Sequence, residues 1–443
     1  METEGFFVVG QTPQGILSHR NQRGKEGYVP NLEYIENGGV TSAAGFVAAG
    51  VHAGFRKDPK RLDLALVEAE GPVPAAGVFT QNVFCAAPVT VSRDHLGQDA
   101  AGVARAVVIN SGVANAATGA RGLEDAERMA ALTAEAVGCA PEDVLVASTG
   151  VIGTFLPFAP LEALPALHAA ASPAGGADAA RAIMTTDTHS KECAVRYTSE
   201  AGDYAGLTFT VGGMAKGSGM IMPNMATMIS VITTDAPVAP RDAKAALKAA
   251  ADASFNKVTV DGDTSTNDTC ILLCSGKAAP AGSAPLQPGT PAFAEFQTAL
   301  DAVCQNLARQ MAADGEGASK LVTVNVRGAA TPEEADLAAR TVANSPLVKT
   351  CIAGHDANWG RVAGALGRSG ARFNQEDVDI HFMGMSVCEK GLAVIFDEDE
   401  ALRRFEEPEI VIDCDLGAGD ASTTVWTCDF THEYISINGD YRS

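Results

Sequence analysis

Residues 214–230 read Met-Ala-Lys-Gly-Ser-Gly-Met-Ile-Met-Pro-Asn-Met-Ala-Thr-Met-Ile-Ser. This stretch joins a glycine-rich loop and a proline to the apolar run that begins at Met228, so Thr227 is predicted to head a β-strand. The buried strand anchors the chain after Thr227, and Pro223 restricts the chain before it, because proline fixes its own φ angle. A junction of this kind can hold a peptide carbonyl under strain against the neighbouring hydroxyl.

A junction of this kind would allow self-cleavage at the Ala226–Thr227 bond. Attack of the Thr227 hydroxyl on the Ala226 carbonyl gives an ester, and hydrolysis of the ester leaves Thr227 with a free α-amine. An α-amino group has a reference pKa of about 7.7–8.0, so it can accept the hydroxyl proton near neutral pH. Thr227 would then be nucleophile and general base in one residue. The residues alone leave open the alternative that Thr227 is only a β-branched residue opening a strand.

Composition and charge restrict the class of protein. The chain has 443 residues, 46% of them apolar and 19% charged, which is typical of a globular protein with two or three lobes. Its formal net charge of −22 disfavours nucleic acids and anionic membrane surfaces as partners and favours small molecules. The N-terminus lacks a signal peptide and no apolar run is long enough to span a bilayer, so we expect a cytoplasmic protein.

Cysteine and histidine give no indication of a metal site. The ten cysteines contain no CxxC pair, and the eight histidines form neither HxH nor HExxH. Scattered cysteines in apolar runs are most often small buried hydrophobic residues. We therefore expect no metal ligands among them.

Hydrophobic periodicity predicts an α+β layered fold in which strand runs are mixed with a few long helices. The polar, aperiodic residues 1–38 are predicted to form a loose arm. The predicted elements are a strand from Ala104 to about 110, a helix through Met129 and Val137 that ends at Gly138, a strand over 144–147 followed by a turn at 148–150, a helix over 293–311, a surface loop over 278–291, and C-terminal strands over 321–326, 378–382, 392–396 and 410–413.

The block KGSGMIMPNMATMIS at 216–230 resembles the cleavage-site motif of the ornithine acetyltransferase (glutamate N-acetyltransferase) family. The likeness extends from about Gly39 to the C-terminus and is specific, because further blocks match in order. These blocks are GVFTQN at Gly77, NSGVANAATG at Asn110, ASTGVIG at Ala147, TTD at Thr185, TVDGDTSTNDT at Thr259, DGEGASK at Asp314, SPLVKT at Ser345, NWGR at Asn358 and INGDYRS at Ile437.

The resemblance implies an αββα-type sandwich with an N-terminal-threonine nucleophile and a smaller C-terminal α/β lobe. It implies that cleavage divides the chain into an alpha chain, 39–226 with the arm before it, and a beta chain, 227–443, assembled as α₂β₂. The implied reaction is ping-pong transfer of the acetyl group from N-acetylornithine to glutamate through Thr227. The implied enzyme needs no metal or redox cofactor, and some members of the family also use acetyl-CoA as a donor.

The resemblance also assigns site residues. It implies an oxyanion hole made by Thr149 with Gly150, and a donor of this kind is worth about 10²–10³ in rate. A cation and hydroxyl groups suit a substrate carboxylate, whereas a carboxylate suits its ammonium group. The implied substrate contacts are Thr185, Lys216, Thr227, Glu316, Asn438 and Ser443.

Several alternatives stay open from the residues alone. The 148–150 segment can be only a turn, Lys216 a solvated loop lysine and Glu316 a helix-end carboxylate. The chain departs from the family pattern at Ser443, where threonine is frequent, and at Val113 and Ala117, where asparagine and cysteine are expected.

Two rival functions fit the same sequence. One is an N-terminal-nucleophile amidase or aminopeptidase that passes the acyl group to water. The other is an uncleaved, non-catalytic binding protein that retains the fold.

Overall fold

A sheet of nine strands dominates the N-terminal part of this computed structural model, which describes residues 31–222 and 228–440. Its strands are β1 (Glu33–Tyr34), β2 (Phe46–Val51), β3 (Leu64–Phe79), β4 (Ala101–Val113), β5 (Val144–Val151), β6 (Lys191–Thr198), β7 (Thr208–Lys216), β8 (Ile229–Thr234) and β9 (Thr269–Cys274). The order is β1-β6-β7-β8-β9-β3-β4-β5, with β2 paired to β3. The pairs β4–β5 and β8–β9 are parallel and the others antiparallel.

The sheet is folded over, so that its two halves pack face to face. Val107 and Ile109 of β4 lie in one apolar cluster with Val231 of β8 and Ile271 of β9. Leu145 of β5 and Met214 of β7 belong to the same cluster although four strands separate β5 from β7 in the strand order, so the sheet must fold over for them to share a core. Because side chains alternate between faces along a strand, the residues between them point outward to helices.

Helices cover the two outer faces, except that the short helix Gly176–Ala182 packs through Ala179 and Ala180 in the cluster between the sheet halves. On one face Val108 packs in a cluster with Met129, and on the other Leu272 packs with Phe296. The result is four layers: helix, sheet half, sheet half, helix. The helices are α1 (Ala87–His95), α2 (Gly119–Val137), α3 (Leu164–Ala170), α4 (Gly176–Ala182), α5 (Pro240–Asp252) and α6 (Pro291–Ala313).

A second, six-stranded sheet forms the C-terminal lobe, in the order β13-β12-β11-β14-β10-β15. Its strands are β10 (Leu321–Ala329), β11 (Asp379–Phe382), β12 (Met385–Glu389), β13 (Leu392–Ala393), β14 (Glu409–Asp415) and β15 (Ala421–Cys428). Its helices are α7 (Pro332–Ala343), α8 (Pro346–Ala353), α9 (Trp359–Gly367), α10 (Glu398–Arg404) and α11 (His432–Asp440). Leu321 and Trp426 also pack in the cluster of α6, which joins the two lobes.

The layered α+β prediction is confirmed, as are its best-patterned helices. The predicted 293–311 helix lies within α6, and Thr290 caps its start by accepting a hydrogen bond from the Phe293 amide at 3.3 Å. Gly138 ends α2 in the left-handed conformation with φ +77°, which glycine adopts without steric cost. In the parts of the chain that the structure describes, no helix has the length and apolar character needed to span a membrane.

Three local predictions were wrong. The predicted turn at 148–150 belongs to β5, because β4 continues alongside it and pairs with it through Gly112 and Gly150. The predicted 392–396 strand has only the two residues of β13, at the edge of the sheet. Of the predicted arm over 1–38, residues 1–30 lie outside the described residues, but Glu33 and Tyr34 already pair with β6, and the Arg196 guanidinium donates hydrogen bonds of 2.8 and 2.7 Å to Glu33.

Candidate active site

The folded sheet brings Thr149 and Lys216 together from its two halves. Thr149 lies near the end of β5 and Lys216 is the last residue of β7. The Lys216 Nζ donates to the Thr149 Oγ1 at 3.4 Å, and the two residues are only 9% and 8% exposed. The interpretation of Lys216 as a solvated loop lysine was therefore wrong, since it ends a buried strand.

The backbone around Thr149 requires glycine. Gly150 has φ +134°, and a Cβ placed on it would lie 2.3 Å from the carbonyl carbon of Gly112 on β4. The register of the β4–β5 pair shifts at Gly112 and Val113. These two glycines let the strands approach closely, so the position of the Thr149–Gly150 peptide is set by packing on both sides.

Buried amide side chains fix the strand residue before Thr149. The Ser148 hydroxyl donates to Asn110 Oδ1 at 2.6 Å, and Asn110 Nδ2 donates to the Val113 carbonyl at 2.9 Å. Asn267 Nδ2 donates to the Ser148 carbonyl at 2.8 Å. Sequence reasoning assigned no role to Asn110 or Asn267, although both lie inside the matched blocks and a buried amide needs specific partners.

Asp187 holds Thr185 together with Gly217, the residue that follows Lys216. Its Oδ1 accepts from Lys191 Nζ and from the Gly217 amide, both at 2.7 Å, and its Oδ2 accepts from the Thr185 amide at 2.8 Å. Thr185 and the residue after Lys216 are thus held by one carboxylate. Burial opposes ionisation of Asp187, but the ammonium groups of Lys191 and Lys216 outweigh it and hold its pKa well below the ordinary value.

Asp314 supplies the second carboxylate of this network. Its Oδ2 accepts from Lys191 Nζ at 2.6 Å, and the Lys191 side chain has no exposed surface. The Ser218 hydroxyl donates to the Asp314 carbonyl at 2.6 Å, and the Glu316 amide donates to the Ser218 carbonyl at 2.9 Å. The loop after Lys216 is therefore fastened to the loop after α6, which carries Glu316.

Burial dominates the electrostatics of Lys216 and lowers its pKa. Asp187 and Glu316 act in the opposite direction, while the positive charges of Lys191 and Arg56 add to the lowering. A lysine in this position loses its proton at a lower pH than a solvated lysine.

Glu316 and Asn438 meet although they are far apart in the chain. Asn438 Nδ2 donates to Glu316 Oε2 at 2.7 Å. A Cβ on Gly219 would lie 2.4 Å from the Glu316 Cδ, so glycine is needed for the carboxylate to rest there. Glu316 follows α6, but it is only 7% exposed, which differs from a solvated helix-end carboxylate.

Gly317 brings the C-terminal helix to the site. It has φ +70°, and a Cβ there would lie 2.6 Å from the Tyr434 amide nitrogen of α11. The Thr431 hydroxyl donates to the Gly317 carbonyl at 2.6 Å just before the helix. This close packing carries Asn438, near the end of the chain, to Glu316.

The TVDGDTSTNDT block holds the chain before the predicted cleavage point. Asp261 accepts hydrogen bonds from the amides of Met220 and Ile221 at 2.6 and 2.9 Å, and the Thr264 hydroxyl donates to the Met222 carbonyl at 2.8 Å. The predicted residues Ala226, Thr227 and Ser443 lie outside the described residues. Within the described ranges, no group of three or more histidine, cysteine, aspartate or glutamate side chains is arranged to hold a metal ion.

This four-layer α+β fold brings a cation, hydroxyl groups and a carboxylate together at one site. Such a site suits an enzyme that acts on small molecules carrying both a carboxylate and an ammonium group. A family model described as the ArgJ family matches residues 47–443 of the chain. The chain therefore belongs to the ArgJ family.

Named relatives are similar over nearly their whole length. The arginine biosynthesis bifunctional protein ArgJ of Symbiobacterium thermophilum is 50% identical over 408 residues, which are 92% of this chain and 99% of that protein. The protein of the same name from Dehalococcoides mccartyi is 46% identical over 415 residues, 93% of this chain and 99% of its own. A solved chain of the Mycobacterium tuberculosis ornithine acetyltransferase complexed with ornithine is 42% identical, covers 44% of this chain and 100% of its own, and has a TM-score of 0.39.

Proposed function

We propose that Thr227 carries the acetyl group in a transfer from N-acetylornithine to glutamate. As a member of the ArgJ family, the chain is an ornithine acetyltransferase of arginine biosynthesis. The observation that supports the proposed site best is the convergence of Lys216 and Thr149 beside the strand that Thr227 precedes. The two residues come from different halves of the sheet and meet at 3.4 Å in a buried position.

Maturation precedes catalysis in this proposal. The Thr227 Oγ1 attacks the Ala226 carbonyl carbon, the peptide C–N bond breaks, and water hydrolyses the resulting ester. The products are an alpha chain ending at Ala226 and a beta chain, 227–443, whose first residue has a free α-amine. The α-amine then accepts the proton of its own hydroxyl in each catalytic cycle.

Turnover follows a ping-pong sequence. The Thr227 oxygen attacks the acetyl carbonyl of N-acetylornithine, and ornithine leaves as the amine. Glutamate then attacks the acetyl-threonine ester with its amine and leaves as N-acetylglutamate. Thr149 and the Gly150 amide stabilise the oxyanion in both halves, because preorganised donors in a buried site act strongly on developing charge.

The charges of the site suit both substrates. Lys216 and Thr185 supply donors for a substrate carboxylate, and Glu316 supplies an acceptor for its ammonium group. Asn438 positions the Glu316 carboxylate through their 2.7 Å hydrogen bond, and Ser443 adds a hydroxyl at the chain terminus.

Further aspects of the proposal rest on the family. The relatives are named bifunctional proteins, which fits acetyl-CoA as a second acetyl donor. The enzyme acts in the cytoplasm without a metal or redox cofactor, and its alpha and beta chains assemble as α₂β₂.

Intact-mass analysis combined with N-terminal sequencing tests the maturation step. Wild type should give fragments of 226 and 217 residues, the second beginning Thr-Met-Ile-Ser. The Thr227→Ala variant should remain one chain without turnover, because the same hydroxyl serves both reactions. Normal cleavage of that variant would refute the assignment of Thr227, and an uncleaved wild type would indicate a binding protein without catalysis.

Steady-state kinetics test the transfer step. Double-reciprocal plots with N-acetylornithine and glutamate should be parallel, and without glutamate the release of ornithine should stop at about one equivalent per site. Sustained release over many turnovers without glutamate would instead indicate an amidase that uses water as the acceptor.

A further inference from the structure

Lys349 is a buried cation that the proposed chemistry does not use. It lies on α8 and is only 1% exposed. Its Nζ donates to the Thr427 Oγ1 at 2.7 Å and to the Cys428 carbonyl. The ammonium group also lies 4.4 Å from the centroid of the Phe430 ring. A hydroxyl, a carbonyl and an aromatic face thus surround this charge, and all three are neutral groups.

A buried ammonium group with neutral partners is costly. Burial lowers the pKa of Lys349, and the Cys428 thiol and the charges of Asp429 and Asp261 oppose this effect without reversing it. Replacing buried charges by apolar side chains of similar volume is often neutral or even stabilising. The presence of a lysine here therefore calls for a role other than stability.

The residues that Lys349 contacts lead directly into α11. The Phe430 amide donates to the Lys349 carbonyl at 3.2 Å, so the backbone and the side chain of one lysine fix the same turn. Asp429, in the same turn, accepts hydrogen bonds from the amide and the hydroxyl of Ser319 at 2.8 and 2.6 Å. The turn between β15 and α11 is thus fastened both to α8 and to the loop that carries Glu316.

Aromatic stacking connects this turn to α11. The rings of Phe430 and Tyr434 have centroids 4.7 Å apart and an interplanar angle of 23°. Asn438 Nδ2 donates to the Tyr434 carbonyl at 3.0 Å and to Glu316 Oε2 at 2.7 Å. No residue of α11 over 432–440 is buried, so this helix has no apolar core of its own. Its position depends on the contacts at its start.

We infer that Lys349 is a positioning residue for substrate binding. This inference rests on the proposed function. The ammonium group fixes Phe430, the stacked rings fix α11, and α11 holds the Asn438 amide against Glu316. A cation suits this place because the face of an aromatic ring attracts positive charge. Since Lys349 acts through Asn438 and Glu316, it affects the binding of the substrate more than the chemical step.

Lys349→Met tests this role because it keeps the length of the side chain and removes the charge. The mature enzyme is assayed for acetyl transfer from N-acetylornithine to glutamate. The KM for N-acetylornithine should rise about tenfold or more, as expected when a hydrogen bond to a charged group is lost, while kcat should stay within about twofold of wild type. An unchanged KM, or a fall in kcat as large as the rise in KM, would overturn the inference.

A double-mutant cycle with Asn438→Ala tests whether Lys349 acts through α11. Residues in one chain of contacts have effects that do not add. In the Asn438→Ala background, Lys349→Met should therefore change the KM by less than about twofold. If the two substitutions multiply their separate effects on KM, Lys349 does not act through Asn438 and the inference is wrong.

Lys320→Met is a matched control in the same lobe. Lys320 is 9% exposed, and its Nζ donates to the carbonyls of Glu406 and Glu407, both at 2.9 Å. Removing this ammonium group should leave the KM at its wild-type value even where thermal stability falls. Equal increases in KM for Lys320→Met and Lys349→Met would indicate a general loss of stability and would overturn the inference.

Hydrogen–deuterium exchange over 432–440 supplies a readout that does not depend on activity. These amides should exchange faster in Lys349→Met, and also in Phe430→Leu, which removes the stacked ring and keeps the test decisive if Lys349→Met does not fold. Exchange should be unchanged in Lys320→Met. Wild-type exchange of α11 in Phe430→Leu would contradict the inference, whereas a wild-type enzyme that transfers no acetyl group from N-acetylornithine would refute the proposed function itself.

Discussion

Asp187→Asn is the most informative perturbation of the buried charge network. The carboxylate accepts hydrogen bonds from Lys191, Gly217 and Thr185 at 2.7, 2.7 and 2.8 Å. An asparagine amide has one acceptor oxygen, so it must turn its NH₂ group either toward Lys191 and Gly217 or toward Thr185. In both orientations a donor faces a donor, and a buried hydrogen bond is lost.

The magnitude follows from the burial of the pair. Breaking a buried ion pair by removing one partner costs about 3–5 kcal/mol. Lys191 keeps its 2.6 Å contact with Asp314, so we expect the lower part of that range, about 3 kcal/mol. Thr185 and the Gly217 loop also lose their common anchor, so the KM for N-acetylornithine should rise in the cleaved enzyme.

Urea titration in a Thr227→Ala background measures the loss while the chain stays intact, with the buried Trp426 as a fluorescence probe. Asp252→Asn is the control, because Lys248 contacts Asp252 at 2.6 Å on the surface. An exposed pair of this kind contributes less than about 1 kcal/mol. If Asp187→Asn lowers the free energy of unfolding no more than Asp252→Asn does, the proposed anchoring role of Asp187 is wrong.

The loss in free energy of unfolding caused by Asp187→Asn should depend on pH with a definite sign. The folded-state pKa of Asp187 lies well below its ordinary value, so the ionised carboxylate stabilises the fold above the unfolded-state pKa of about 3.9. The stability advantage over Asp187→Asn should be constant from neutral pH to about pH 5 and should shrink as the pH falls further toward the lowered pKa.

Three further predictions concern substrate handling. Thr149→Val should lower kcat about 10²–10³-fold with little change in KM, and a normal kcat in steady-state assays would remove Thr149 from the oxyanion hole. Gly219→Ala should raise KM, because its Cβ would lie 2.4 Å from the Glu316 Cδ, whereas Gly364→Ala, with no heavy atom within 4 Å, should leave kinetics unchanged. Equal KM values for these two glycine variants would contradict the placement of Glu316. Substrate binding should weaken, with a rise in KM, as the pH rises through the lowered pKa of Lys216. Lys216→Arg should move this rise in KM to higher pH, since arginine stays charged. If the rise stays at the same pH in Lys216→Arg, another group is titrating.

The sequence was sufficient where a local pattern decides the structure. The apolar spacing of 293–311 predicted α6, and Gly138 predicted the end of α2, because both signals lie within a few turns of chain. The predicted turn at 148–150 was wrong because strand β5 is extended by its partner β4. A pairing partner distant in sequence leaves no periodic signal within the strand itself.

The site was predictable only in part for a similar reason. The family motifs named Lys216 and Glu316, and the structure links the loops that carry them. The block TTD contains Asp187 but assigned it no role, because a buried acid and a solvated acid look the same in a sequence. The partners that distinguish them come from other elements: the Gly217 amide lies 30 residues beyond Asp187.

The strand order links the segments of the chain that lie before and after the proposed cleavage point. Strands β8 and β9, which follow the proposed scission point, are inserted between β7 and β3, which precede it. The two segments therefore share one sheet. Separating them would break the backbone hydrogen bonds of the β7–β8 pair and of the β3–β9 pair together. Under the proposed maturation, the chain would therefore fold as one polypeptide before cleavage, and these strand pairs would hold the two fragments together afterwards.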